Sequence, residues 1–298
     1  MRVALATFAR LAEGIPDDAP LRSTLERLGC VVETPSWSAE GVSWSTYDVV
    51  VLRSTWDYTV RREDFVSWAT HVESETTLCN SAAVVAWNTH KSYLRDLEAR
   101  GVPIVPTAWV DAATDCDLGS LCAEHGWQDI VIKPAVDAAA RGALRTQATS
   151  RAGQRHLDDL LTRGDAMVQP YVTAVDSYGE RALVILDGAL THAVRKRAHL
   201  GSERLAPDDW PPPDAVAIAA KEQVVASQSI AAARDALVDA DLLYARVDLV
   251  PGPDGEIWLG ELELTEPYLF LAAAPEGAVE RFADAILERA ARRATAAG

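Results

Sequence analysis

Within its first eighty residues the chain alternates apolar strand-like runs with amphipathic helical ones, which leaves few folds open. RVALATF from Arg2, CVVE from Cys30, YDVVVLR ending at Arg53 and TTLCN ending at Asn80 have the composition of buried strands. PLRSTLERLG puts Leu21, Leu25 and Leu28 on one helical face and closes at Gly29; REDFVSWATHV reads as a second helix. Strand–helix–strand succession predicts a parallel sheet with covering helices. Ligands of such open sheets gather beyond the carboxyl ends of the strands. RSTWDY, Arg53 to Tyr58, occupies such an end.

The pattern then changes, and three units are expected: residues 1–85, 86–166 and 167–298. NTHKSYLRDLEARG predicts a helix capped by Asn88 or Thr89 and closed by Gly101, with Lys91 in its first turn. A lysine there faces the positive helix end, where acids are favoured. DIVIKPA is a strand with Lys133 near its end, followed by AVDAAARGALR, a loop of small residues whose N–H groups could approach phosphate oxygens. Each lysine is equally open to a solvated reading. MVQPYV, Met167 to Val172, is an extended segment broken by Pro170, either a plain edge strand or an edge suited to reading an adenine. RALVILDGALTHAVRK is a hairpin turning at Asp187-Gly188 and ending in Arg195, Lys196 and then Arg197. RAHLGSERLAPDDWPPPD is a long polar connection. A helix is expected over about Ala215 to Val238, and a last one presents Val279, Phe282, Ala283 and Ile286 inward.

Between those helices lies ARVDLVPGPDGEIWLGELELTEP, from Ala245 to Pro267. Val247 and Leu249 before the turn, and Trp258, Leu262 and Leu264 after it, alternate as in half-buried strands. Parity then puts Arg246, Asp248, Glu261 and Glu263 together on the opposite face. Two carboxylates about 4 Å apart repel by roughly 4 kcal/mol at an effective dielectric near 20. Three together imply wide separation in water, protonation or a cation; a hard divalent ion suits such oxygens. Taken alone, the trio is either a solvated face or a magnesium site.

Composition narrows the partners. With 44 acidic against 28 basic residues, a net charge of −16, the chain cannot assemble the broad basic surface that nonspecific nucleic-acid binding needs. Cys30, Cys79, Cys116 and Cys122 show no C-x-x-C spacing, which favours reduced thiols in the cytoplasm. No run is long enough for a membrane span, and MRVALATFAR reads as a strand rather than a signal sequence.

In order, a helix lysine, an IKP lysine with a small-residue loop, a QPYV hinge, a basic hairpin end and RVD…ELE resemble the ATP-grasp family over essentially the whole chain. That resemblance implies an α/β and α+β fold in which an N-terminal parallel α/β domain precedes two lobes enclosing ATP. By it, Lys91 and Lys133 hold phosphates from two sides, Gln169, Pro170, Tyr171 and Val172 form the adenine hinge, and Lys196 reaches the γ-phosphate. Asp248, Glu261 and Glu263 hold magnesium, two ions in all, with manganese able to replace them. Two departures stand out: Glu263 occupies a position where the family usually has Asn, and Ala138 to Ala140 replace the usual glycines or serines of the phosphate loop. Closure of that loop then leans on Arg141, either a phosphate contact or solvent-exposed.

Such enzymes phosphorylate a carboxylate for attack by a nucleophile. LRSTWDY, NTHKSYL and YARVDLV…ELELTEP are similar to the cyclo-ligase branch, which closes O-ureido-D-serine to D-cycloserine. A small zwitterionic substrate needs a guanidinium for its carboxylate and an acid for its ammonium. Arg53 with Asp57 supplies such a pair, walled by Trp56 and Tyr58. Arg181 and Arg246 are further candidates for the transferring phosphate or the substrate carboxylate, Arg246 being equally open to an ion pair with Glu261. Glu180 and Glu266 receive no role. The rival readings are an intermolecular carboxylate–amine ligase of the same fold and a catalytically silent ATP-binding module.

Overall fold

The computed structural model describes residues 1–138, 141–196 and 214–296, organised around three sheets. The first is parallel, as the alternation requires: β1 (Arg2–Thr7), β2 (Val31–Glu33), β3 (Val49–Ser54) and β4 (Thr77–Cys79), in the order β2-β1-β3-β4. Its crossovers are α1 (Ala19–Arg27) and α2 (Arg62–Glu75). Val49 to Leu52 are wholly buried because helices cover both faces of a central parallel strand.

Two short helices follow, α3 (Ala82–Asn88) and α4 (Tyr93–Glu98), where the sequence suggested one helix beginning at Asn88 or Thr89. The Thr89 hydroxyl donates to the Val85 carbonyl and Arg62 to that of Ala86, so the last turn of α3 is satisfied from outside and ends there. Lys91 therefore sits in the turn between them, its N–H donating to the Ala135 carbonyl at 2.8 Å.

The second sheet is antiparallel, with β5 (Ala108–Val110), β6 (Asp129–Pro134), β7 (Leu144–Gln147) and β8 (Ala166–Pro170) in the order β5-β8-β6-β7. Helices α5 (Leu118–His125) and α6 (Arg151–Leu161) cover it through Leu118, Leu157 and Leu160. β8 pairs with both β5 and β6, so the chain leaves this unit after Pro170, not at the expected 166/167 boundary. Ala139 and Ala140 of the small-residue loop lie outside the described residues.

After α7 (Val175–Tyr178) come the strands of the third sheet: β9 (Glu180–Leu186), β10 (Ala189–Lys196), β11 (Asp214–Val216), β12 (Tyr244–Pro251) and β13 (Ile257–Glu263). They run antiparallel in the order β11-β10-β9-β12-β13. Asp187 and Gly188 turn the β9–β10 hairpin with φ of 48° and 76°. Helix α8 spans Ala220–Ala236; it starts later than expected because residues 214–216 pair with β10. Arg197 and the polar connection up to residue 213 lie outside the described residues.

One face of the third sheet packs Val247, Leu249, Leu259 and Leu262 against α4 and α8. The other shares a core with the first sheet, filled by Phe282 and Ile286 of α9 (Ala278–Ala296). The β12–β13 register shifts at Gly260: Asp248 faces Glu261, but Leu249 faces Leu259. That bulge overturns one parity expectation, since Leu259 takes the core side and Trp258 packs beside Val250. Among the described residues no helix is long and apolar enough to cross a membrane.

Candidate active site

Period-two geometry builds the floor of the site. Arg246 stands opposite Glu263 and Asp248 opposite Glu261, all on one face of the β12–β13 ladder. One ligand oxygen each from Asp248, Glu261 and Glu263 lies within 4.8 Å of the others. Cations interleave them. Arg246 grips Asp248 by two 2.9 Å bonds and also reaches Glu263. Lys196, at the end of β10, places Nζ 2.5 Å from Asp248 and 3.0 Å from Glu180, while Lys91 bonds Glu261.

The acids do not titrate alike. Burial works to raise Asp248, but Arg246 and Lys196 outweigh it and hold its carboxyl at about 2. Glu261 is likewise lowered, burial being overcome by Lys91. For Glu263, burial together with Glu261 and Asp248 outweighs Arg246 and pushes it up to about 7. Asp137, after β6, is pushed up to about 7 chiefly by burial, and Glu266 to about 8 by burial and then by Glu263.

A cleft stands over this floor. Trp56 and Tyr58 enter it from the first unit and Lys91 and Asp137 from the second. Arg246, Glu261, Glu263, Glu266 and Tyr268 enter from the third. Lys133 sits at the β6 end; burial lowers its pKa, and of the charges around it Glu261 and Lys91 act on it most strongly. It makes no ion pair among the described residues. Arg141 is exposed, near enough to Asp137 to lower that carboxyl's pKa.

The expected hinge is partly committed. Gln169 is buried and donates to the Thr107 hydroxyl at 2.8 Å, and the Tyr171 N–H donates to the Asp129 carbonyl rather than standing free. The Tyr171 ring lies 3.4 Å beneath the Arg145 guanidinium. The Val172 carbonyl accepts from Val175.

Two arginines are elsewhere engaged. Arg53 is wholly buried, bonding Asp18 at 2.6 Å, Asp17 at 3.3 Å and the Pro267 carbonyl at 3.2 Å. Neither Arg53 nor Asp57, the guanidinium and acid expected for a zwitterionic substrate, is among the residues lining the cleft, and Asp57 accepts from Trp37 and Arg61. β3 ends inside the molecule, where the Asp17 and Asp18 carboxylates supply the countercharge that a buried guanidinium needs. Arg181 pairs with Glu222 of α8 and the Ala217 carbonyl, because alternation along β9 turns it away from the carboxylate face. Trp56 and Tyr58 do line the cleft; the indole donates to the Glu266 carbonyl at 3.0 Å, and Tyr58 lies close enough to Glu266 for that acid to raise its pKa. Glu266, Tyr268 and Asp137 are cleft residues to which sequence reasoning gave no role; the unusual T-E-P directly after ELE was the available signal for the first.

A family model described as the N-terminal domain of D-cycloserine synthetase DcsG matches residues 3–80. The cycloserine biosynthesis protein DcsG of Streptomyces lavendulae is 34% identical over 282 residues, covering 92% of this chain and 93% of that protein. The chain belongs to the D-cycloserine synthetase (DcsG) family. A crystal structure of D-cycloserine synthetase DcsG matches with a TM-score of 0.85 at 33% identity, over 97% of this chain and 100% of that one. D-alanine–D-alanine ligase from Bacillus anthracis complexed with ATP matches at 0.68 with 13% identity, over 100% of both chains. The ATP-grasp ligase PsnB, complexed with a precursor peptide and AMPPNP, matches at 0.60 with 16% identity, over 97% of both. The last two show the fold alone, and it is the ATP-grasp fold. As a DcsG-family protein on this fold, the chain is an ATP-dependent ligase.

Proposed function

We propose that this DcsG-family ligase activates the carboxylate of O-ureido-D-serine with ATP and closes the ring to D-cycloserine. In balance, O-ureido-D-serine, ATP and water give D-cycloserine, ADP, phosphate, ammonia and carbon dioxide. The observation that carries the reading is the convergence of three carboxylates with Arg246, Lys91 and Lys196 on one cleft floor. Phosphoryl transfer needs such preset charge around the phosphates.

The donor set fits a hard divalent ion: all three ligands are carboxylate oxygens, and Glu263 still offers oxygen where the family usually has Asn. Asp248, Glu261 and Glu263 would hold two magnesium ions, or manganese in their place, and bound ions would neutralise phosphate charge. Lys91 and Lys133 hold the phosphates from the two lobes, with Arg141 on the loop side and Lys196 toward the γ-phosphate. Arg246 steadies the carboxylate under attack. Gln169, Pro170, Tyr171 and Val172 border the adenine, through the segment's remaining backbone groups. The attacking nitrogen belongs to the same molecule as the carboxylate, so closure gains from effective molarity and needs no second acceptor site. The reaction is assigned to the cytoplasm, in keeping with four free cysteines.

ADP release with magnesium, ATP and O-ureido-D-serine alone tests the reading. Turnover without an added amine supports ring closure. A ligase idle until an amine is supplied is intermolecular, and nucleotide binding without turnover on any amino acid marks a silent module.

A further inference from the structure

Glu266, like Asp137, is a cleft acid that phosphate chemistry leaves unused. Asp248, Glu261 and Glu263 each pair with a lysine or arginine. Glu266 lines the same cleft at 8% exposure and makes no ion pair among the described residues. Its carboxyl stands instead beside Tyr58, itself 4% exposed, in the cleft lining. A buried carboxyl without a paired cation is electrostatically incomplete when ionised, and a cationic ligand group completes it.

Its placement is tightly fixed. The Glu266 carbonyl accepts from the Trp56 indole at 3.0 Å, tying the carboxylate to one aromatic wall of the cleft. Before it, Asn88 accepts from the Leu264 N–H at 2.7 Å; after it, Arg53 donates to the Pro267 carbonyl and Asp17 accepts from the Leu269 and Leu271 N–H groups. A loop held on both sides presents a side chain at one position, as recognition requires. Arg246 is bound to the same loop, donating to the Tyr268 carbonyl at 3.2 Å. An α-amino acid carries its ammonium one carbon from its carboxylate, so an ammonium on Glu266 leaves that carboxylate toward Arg246 and the phosphate floor.

We propose that Glu266, held by Trp56 and flanked by Tyr58, binds the α-ammonium of the substrate and selects α-amino acids over their des-amino analogues. This rests on the carboxylate-activating reading above.

The test is Glu266→Gln in the full-length enzyme with magnesium-ATP, compared on O-ureido-D-serine and its des-amino analogue 3-(ureidooxy)propanoate. ADP release and hydroxylamine trapping of the acyl phosphate are the readouts. The KM for the amino acid should rise roughly tenfold or more, with kcat and the KM for ATP little changed. The wild-type preference for the amino acid should collapse, and Glu266→Asp should restore part of it. Tyr58→Phe, expected to raise the same KM by a smaller factor, serves if Glu266→Gln does not fold. An unchanged KM or an undiminished preference in whichever variant folds overturns the proposal. So does a kcat loss at constant KM, which would assign Glu266 to proton transfer. If the wild type is idle with O-ureido-D-serine, the substrate reading alone has failed. D-serine against 3-hydroxypropanoate, followed by calorimetric binding in the presence of AMPPNP, then tests Glu266 by itself.

Discussion

Arg246 meets Asp248 across two parallel 2.9 Å bonds, a fork-on-carboxylate contact within a single strand, two residues apart. Such a pair fixes where both groups point, and Lys196 and Glu263 are bound to the same two side chains. Replacing Arg246 by Ala leaves Asp248 buried with one cation, a change expected to cost about 3–5 kcal/mol. Arg246→Lys keeps the charge without the fork and should still lose turnover at least tenfold, because a point charge does not reproduce bidentate geometry. Urea unfolding and steady-state kinetics check the two expectations separately.

Glu261→Gln removes the central ligand oxygen charge and the partner of Lys91. Turnover should be nearly abolished while far-UV circular dichroism and the unfolding transition stay cooperative. Wild-type activity in this variant at low magnesium would contradict its assignment.

Arg53→Ala should act through stability. The guanidinium is wholly buried among Asp17, Asp18 and the Pro267 carbonyl, so its loss leaves two acids unneutralised, at about 3–5 kcal/mol. A variant of wild-type stability whose only defect is a raised amino-acid KM would return Arg53 to the substrate.

Gly179 precedes β9 with φ of 77°, and an added Cβ would come 2.6 Å from the Lys196 carbonyl oxygen. Gly179→Ala therefore combines backbone strain of about 1–2 kcal/mol with a clash against the strand end that carries Lys196. Lower thermal stability and a raised KM for ATP are expected together; a raised KM for the amino acid alone would be the wrong pattern.

His192 on β10 supplies a pH dependence. Its ring bonds the Leu269 carbonyl at 2.9 Å and the Thr191 hydroxyl at 2.8 Å, and burial holds its pKa below the ordinary value. With the folded pKa depressed, the unfolded chain binds the extra proton first. The neutral ring's contribution is therefore whole above ~6.5 and is lost as pH falls through the lower folded value. Urea midpoints at about pH 7.5 and 5.5 should fall more steeply for the wild type than for His192→Gln. Parallel falls would remove His192 as a cause.

Much of this was legible because it is periodic. Alternation around GPDG put Arg246, Asp248, Glu261 and Glu263 on one face, and the structure keeps them there. The bulge at Gly260 was hidden, since an extra residue leaves the polar parity of Glu261 and Glu263 intact and disturbs only Leu259 and Trp258. Helix α6 escaped notice for a related reason. Gly153 looks like a breaker, yet it is where the helix approaches Thr146 so closely that a Cβ would lie 2.8 Å away. Arg53 and Arg181 were misjudged because their partners are remote: Asp17 and Asp18 are reached across one unit and Glu222 across a helix connection. Strand-end position shows that a side chain can leave a sheet but not which side it leaves toward.

The first and third sheets share one core through α9, whereas the second keeps its main core to itself and meets the other cores through Met167, Trp109 and, just after β6, Val136. Any rocking motion that spares the largest apolar contacts must then swing the second sheet as a jaw against a fixed block. Lys133 would travel with the jaw while the acids of β12 and β13 stay behind, and the bond from the Lys91 N–H to the Ala135 carbonyl would tie Lys91 to the jaw's edge. Opening and shutting would thus change the distance between Lys133 and the acid floor, making nucleotide grip a mechanical variable of the molecule.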